Sequence, residues 1–258
     1  MNIINTRANQ FYNTFYTKTW SGEMTPPMAD LSLTEAYQIQ DKVAEKRINN
    51  GECVVGYKVG CTSQAIRTQF GLEEPIRARM FAPYIYEEGA EFDWRDYLNC
   101  AIEPEMVIKI GKDLAEENLP DAALIDAIAY VSPGIEIHNF KFWFSPPTSQ
   151  ELIASGGIWA GLVIGNQQVS PHTLLFSDEI FYVFKDDRLI TQAPASEIMG
   201  GPLMSLRWLV NSLVKQGLVL EKDSWVIPGS PVELVPIDQD TRLTIEIERV
   251  GRLTALFK

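Results

Sequence analysis

From residue 52 to its end the chain is a succession of short apolar runs, each stopped by glycine, proline or a pair of charges. Segments 53–60, 80–86, 102–110, 130–137, 158–164, 180–184, 188–192, 227–234, 242–248 and 252–257 have strand length and β-rich composition. Pro133-Gly134 interrupts the fourth, Asp186-Asp187 reads as a hairpin between the sixth and seventh, and a Pro-Gly-Ser turn lies in the eighth. Too few helices separate these strands for a doubly wound α/β sheet. The pattern predicts an α+β, β-rich chain with its helices early and late and its sheet between.

Ser32-Leu33-Thr34-Glu35 has the form of a capping box, and Ala36, Ile39, Val43 and Ile48 follow at helical spacing until Gly51. This predicts a helix over 33–49. Met24-Thr25-Pro26-Pro27 breaks any helix before it. A short helix is expected over 65–71, and another over 121–129 with Asp121 as N-cap. A third starts at Pro202, with Leu203, Leu206, Leu209, Val210, Leu213 and Val214 on one face and Gly217 as its stop. The expected organisation is a helical segment, 1–51, packed on a β-rich domain, 52–258.

A chain of 258 residues buries enough surface to need no disulfide or structural metal. The net charge of −12 argues against nucleic acid and against an anionic membrane surface as partners. No run approaches the ~20 apolar residues of a membrane helix. The first residues lack a basic start followed by an apolar block, and Cys53, Cys61 and Cys100 form no CxxC. The expectation is a cytoplasmic protein with free thiols. With only His138 and His172, chemistry must rest on carboxylates, Lys, Ser, Tyr or backbone.

In Ile102-Glu103-Pro104-Glu105-Met106-Val107, strand alternation puts Glu103 and Glu105 on one face. Two such carboxylates repel unless a cation holds them. A solvated acidic face is the plain alternative. Against it, the strand continues apolar, and Glu136 lies between Ile135 and Ile137 in a second strand, an awkward place for a free acid. Three carboxylates from two strands make a candidate Mg²⁺ or Mn²⁺ site with open positions. Lys58, in Gly56-Tyr57-Lys58-Val59-Gly60-Cys61-Thr62-Ser63, is either a partly buried lysine that binds a carboxylate or moves a proton, or a surface residue at a strand end. Ser63 and its neighbours, and Ser230 in Pro228-Gly229-Ser230-Pro231, offer donors to an anion, or are ordinary turn residues. His138 stands near Glu136 and reads better as a structural histidine. No nucleophile elbow, P-loop or dinucleotide fingerprint occurs.

Together these segments resemble the fumarylacetoacetate hydrolase superfamily, in its branch of 2-keto-4-pentenoate hydratases and 4-oxalocrotonate decarboxylases. The resemblance runs from about Leu31 onward. It rests on residues 33–40, on 56–63, on Glu103-Pro104-Glu105 and on Gly134-Ile135-Glu136-Ile137, with Trp208-Leu209-Val210-Asn211 and Gly229-Ser230 in support. It implies the superfamily's distorted β-barrel or roll with flanking helices, the site at its mouth, and Mg²⁺ or Mn²⁺ on Glu103, Glu105 and Glu136. Lys58 matches the family's active-site lysine.

The implied activity is that of a metal-dependent lyase in the catabolism of aromatic compounds. It hydrates a 2-hydroxy-dienoate (or 2-oxo-enoate) to a 4-hydroxy-2-oxoacid. Decarboxylation of a 2-oxo-dioate and C–C bond hydrolysis are the alternatives, and a catalytically silent homologue that binds a ligand or a partner subunit is the non-enzymatic one. A homo-oligomer is also implied. The chain departs from the hydratases after Glu74-Pro75, where Ile76-Arg77-Ala78-Arg79 lacks their acid and glycine, and at Ile153-Ala154-Ser155-Gly156-Gly157, which lacks an Asp and an Asn. Asn139-Phe140-Lys141-Phe142 is closer to the decarboxylases. Arg77 and Arg79 are candidates for a second substrate carboxylate, or surface residues.

Overall fold

The computed structural model describes residues 2–20, 22, 24–140 and 147–258. Lys141 and Phe142 lie outside the described residues. Two sheets carry the chain. The larger takes β1 (Val54–Gly60), β2 (Ile76–Phe81), β3 (Ile85–Glu87), β5 (Cys100–Ile110), β6 (Ile128–Asn139), β7 (Trp159–Ile164), β10 (Trp225–Ile227) and β11 (Val235–Pro236). Its order is β2-β1-β10-β5-β6-β7-β3, and β11 pairs with β5. The smaller runs β4-β13-β12-β8-β9, from β4 (Glu91–Phe92), β8 (Ile180–Lys185), β9 (Arg188–Pro194), β12 (Thr241–Ile247) and β13 (Gly251–Phe257). The fold is mixed α+β with a strand majority, as the sequence predicts. No helix among the described residues is long and apolar enough to cross a membrane.

One apolar core lies between the sheets. It joins Ile108, Ile135 and Ile137 of the larger sheet to Phe181, Val183, Ile245 and Leu253 of the smaller. Helix α6 (Pro202–Val214) lays Leu206, Leu209, Val210 and Leu213 into it. Asp186 and Asp187 both adopt positive φ at the β8–β9 turn, the two-residue geometry that matches strand twist.

A second core forms under the N-terminal helices. α1 (Ile3–Thr17) is capped by the Asn2 side chain, and α2 (Leu33–Asn49) by the reciprocal Ser32–Glu35 capping box. They bury Phe11, Phe15 and Ile39 with Ile76 of β2 and Ile153 of α5 (Ser149–Ala154). Gln40 donates to the Arg77 carbonyl at 3.0 Å and to the Ile153 carbonyl at 2.7 Å. Arg47 pairs with buried Glu52 at 2.6 Å and stacks 3.8 Å over the Phe81 ring.

Four local expectations change, the first in segment 227–234, where β10 ends at Ile227 and no strand runs again until β11 at Val235. α4 (Asp121–Ala127) begins after Pro120, and Asp121 sits inside its first turn instead of capping it. Segment 80–86 is divided, because Pro83 turns the chain through a short 3₁₀ helix between β2 and β3. Segment 130–137 is not interrupted. β7 pairs with β6 as far as Gly134, and the isolated bridge Val131–Val169 takes up beyond it, so Pro133 falls in a gap where its missing N–H costs nothing.

Candidate metal centre

β5 and β6 run antiparallel with Glu103 opposite Glu136, Glu105 opposite Gly134 and Ala101 opposite His138. Strand alternation therefore puts Glu103, Glu105, Glu136 and His138 on one face, while Ile102, Ile135 and Ile137 point into the main core. On its other edge β5 is paired by β11 at Ala101–Ile102 and by β10 at Ile108–Lys109. Pro104 and Glu105 lie between those two pairings. The turn after β10 closes over this interval, and the Gly229 N–H donates to Glu105 Oε2 at 3.1 Å. Only glycine fits there. Its φ is +115°, and a Cβ would meet Thr62 Cγ2 at 2.6 Å.

β1 lies beside β10, with Lys58 in register with Ile227. Lys58 is 3% exposed. Its Nζ donates to Glu136 Oε1 at 2.5 Å and to the Gly157 carbonyl at 3.1 Å. Gly157 belongs to the turn after α5 and has φ +65°, so Gly156-Gly157 is a turn and not the strand material its sequence suggests. His138 Nε2 lies 3.1 Å from Glu103 Oε2 and 3.5 Å from Glu136 Oε2. Glu103 is 22% exposed at its side chain and forms the open side of the cluster.

The electrostatics follow from this packing. Burial pushes the Glu105 carboxyl well above its usual range, and the charges of Glu136 and Glu103 push it further. Burial also acts to raise Glu103, but the hydrogen bond and charge of His138, with Lys58, hold it below its usual value. For Lys58, burial pulls the ammonium down, and the charges of Glu136, Glu103 and Glu105 outweigh it, so its pKa is raised. Glu105 Oε1 and Glu136 Oε2 are buried with no hydrogen-bond partner among the described residues. Among the described residues, one donor atom from each of Glu103, Glu136 and His138 converges within 4.8 Å, a donor set that fits a divalent cation, and Glu105 is not in that group.

Other candidate residues lie elsewhere. The Ser63 hydroxyl accepts from the Ile66 N–H at 3.2 Å and caps α3 (Gln64–Phe70). Ser230 is bonded within its own turn, to the carbonyl and N–H of Val232. Arg77 and Arg79 flank Ala78, which pairs with Lys58, so both guanidinium groups leave the sheet on the face away from the carboxylates. Arg77 is buried, bonded to Ser212 at 3.1 Å and to Gln216, with its guanidinium 5.0 Å from the Tyr37 ring. Arg79 pairs with Asp41 at 2.6 Å. Neither arginine meets the expectation of a second-carboxylate contact, and Arg77 is not a surface residue either.

The Gly229-Ser230 turn, expected to offer N–H donors to an anion, gives its Gly229 N–H to Glu105 itself. His138, expected as a structural histidine, repeats relative to Glu136 the two-residue spacing of Glu103 and Glu105, and that spacing is the signal for its place on the carboxylate face.

No family model matches the chain. Among curated proteins it is 29% identical over 240 residues to the 4-oxalocrotonate decarboxylase of a Pseudomonas species, covering 91% of each chain. It is 26% identical over 241 residues to the 2-keto-4-pentenoate hydratase of Burkholderia vietnamiensis, covering 92% of each. Among solved structures, the 4-oxalocrotonate decarboxylase of Pseudomonas putida G7, complexed with magnesium and adipate, superposes with a TM-score of 0.93 at 20% identity, over 99% of this chain and 97% of that one. Fumarylacetoacetate hydrolase of Exiguobacterium antarcticum gives a TM-score of 0.63 at 13% identity, over 80% of this chain and 75% of that one. The chain is a homologue of the 2-keto-4-pentenoate hydratases and 4-oxalocrotonate decarboxylase, built on the fold of the fumarylacetoacetate hydrolase superfamily.

Proposed function

We propose that the protein is a divalent-metal-dependent lyase that hydrates a 2-hydroxy-dienoate, by way of its 2-oxo-enoate tautomer, to a 4-hydroxy-2-oxoacid. The observation that carries this is the buried cross-strand carboxylate cluster with Lys58 against it, in a chain whose relatives over nine-tenths of its length include several 2-keto-4-pentenoate hydratases. Glu103, Glu105 and Glu136 are the ligands we assign, and Mg²⁺ or Mn²⁺ the cation.

A divalent cation held there supplies Lewis-acid polarisation of the 2-oxo group. The chain's own residues do the rest. Lys58 is an ammonium whose raised pKa suits it to donate a proton or hold a substrate carboxylate, and unsuits it as a free base. Its Gly157 contact fixes the Nζ while Glu136 takes one of its protons in a hydrogen bond. Gly229 orients Glu105 so that Oε1 stays available. In the tautomerisation a proton leaves the 2-hydroxyl and one arrives at C5. In the hydration water adds its oxygen to C4 and a proton to C3.

Decarboxylation of a 2-oxo-dioate is the second reading. It is favoured by the 29% identity to a 4-oxalocrotonate decarboxylase and by the TM-score of 0.93 to another that binds adipate, itself a dicarboxylate. A homo-oligomer belongs to the same proposal. It is supported by β9, an edge strand whose Leu189 and Ile190 are exposed, and sedimentation velocity tests it.

The deciding experiment is a proton NMR time course with Mg²⁺. One sample receives 2-hydroxypenta-2,4-dienoate and the other 4-oxalocrotonate. A 4-hydroxy-2-oxoacid in the first supports hydration. Loss of CO₂ in the second alone moves the assignment to decarboxylation. Silence in both, with Mg²⁺ bound, overturns both readings.

A further inference from the structure

His138 is 1% exposed and lies two residues beyond Glu136 on the carboxylate face of β6. One donor atom from each of Glu103, Glu136 and His138 lies within 4.8 Å of the others. A cation between the two glutamates is therefore within reach of the imidazole. The ring's polar neighbours point the same way. Nε2 meets the carboxylates of Glu103 and Glu136, and Nδ1 is buried with no hydrogen-bond partner. The imidazole therefore shares the carboxylate face with two acids and has no other side-chain partner among the described residues.

Resting on the metal reading above, we propose that His138 Nε2 is a fourth protein ligand, which makes the site prefer a borderline cation such as Co²⁺ or Zn²⁺ over Mg²⁺. Carboxylate and water ligands suit Mg²⁺, whereas imidazole suits later first-row metals. Glu103, Glu136 and His138 would hold the cation, with Glu105 the further carboxylate assigned above, and a cation so held would still have room to polarise a 2-oxoacid through its carboxylate and 2-oxo oxygens.

The test uses the full chain loaded with Mn²⁺ and read by electron spin echo spectroscopy. A directly coordinated imidazole gives a ¹⁴N coupling, which labelling with ¹⁵N-histidine replaces by a ¹⁵N one. The only other histidine, His172, is 63% exposed beside Asp126, so His172→Gln should leave the coupling intact. This measurement needs no change at His138, so it stands even if variants there fold poorly. In competition titrations, His138→Gln should lower the preference for Co²⁺ over Mg²⁺ by about tenfold or more, at least the effect of removing an outer-shell partner. Mn²⁺ bound with no nitrogen coupling makes His138 a hydrogen-bond partner of Glu103 only, and overturns the inference while the proposed function stands. No divalent cation bound at all overturns both.

Discussion

Glu105→Gln isolates a carboxyl whose ionisation its buried setting opposes. Glu105 is fully buried, and burial with the charges of Glu136 and Glu103 drives its carboxyl well above the ordinary 4.5. Without metal it is a neutral acid over a wide pH range. Its contribution to stability is fully present below pH 4.5 and is lost as the pH rises through the raised pKa. A cation must displace that proton, since metal ligands bind deprotonated. Glu103 lies below its usual value and has none to give.

Binding by the wild type should therefore release about one proton per Mg²⁺ from this position, and the affinity should rise about tenfold, ~1.4 kcal/mol, per pH unit below the raised pKa. Glutamine copies the neutral acid in shape and can still accept from Gly229. The variant should fold with EDTA present, lose that share of the pH dependence of stability, release no proton, and bind Mg²⁺ about 100-fold more weakly or worse. Isothermal titration in buffers of different ionisation enthalpy counts the proton, and thermal melts with EDTA across pH 5–9 follow the stability. Wild-type affinity in the variant, or the same proton count in both proteins, would refute the reasoning.

Lys58→Met leaves Glu136 buried without its cation, a loss of about 3–5 kcal/mol for a broken buried pair. That corresponds to a fall in Tm of roughly 6–20 °C at this chain length. Turnover should vanish while Mg²⁺ still binds; scanning fluorimetry and NMR check the two, and retained activity removes Lys58 from the mechanism. Arg77→Ala should destabilise by roughly 2–3 kcal/mol through its lost buried bonds. Its KM for mono- and dicarboxylate substrates should move equally, and a selective loss of the dicarboxylate would return Arg77 to the site. Gly229→Ala places a methyl against Thr62 and shifts the N–H off Glu105, so Mg²⁺ affinity should fall about tenfold in a titration. Unchanged affinity would deny that contact a role.

The parts legible in the sequence were those whose cause is local. The α2 capping box, the Asp186-Asp187 hairpin and the apolar face of α6 each follow from residues within a few positions of one another. Glu103 and Glu105 share a face by alternation, and Glu136 betrayed itself by its apolar neighbours. The rest depended on partners far along the chain. Pro133 looks like a strand breaker until the end of β7 at Gly134 shows that no partner needs its missing N–H, while it stays paired with Met106 of β5. Arg77 looks like an anion contact until the pairing of Ala78 with Lys58 turns it toward Ser212, 135 residues away. α1 is marked locally only by Asn2 and by Ile4, Ala8, Phe11 and Phe15 at helical spacing, and the partners that those residues bury against lie far along the chain.

The side-by-side placement of acids on β5 and β6 also bears on how the chain assembles. A slip of one residue in that pairing would turn one strand over against the other, setting Ile135 and Ile137 beside Glu103 and Glu105 and sinking Glu136 and His138 into the apolar core. A cation recognises the carboxylates and cannot recognise the isoleucines. It thus rewards one alignment of the two longest strands and ignores the misaligned ones. Refolding yield should therefore rise when the ion is present while these two strands pair, and not when it is added afterwards.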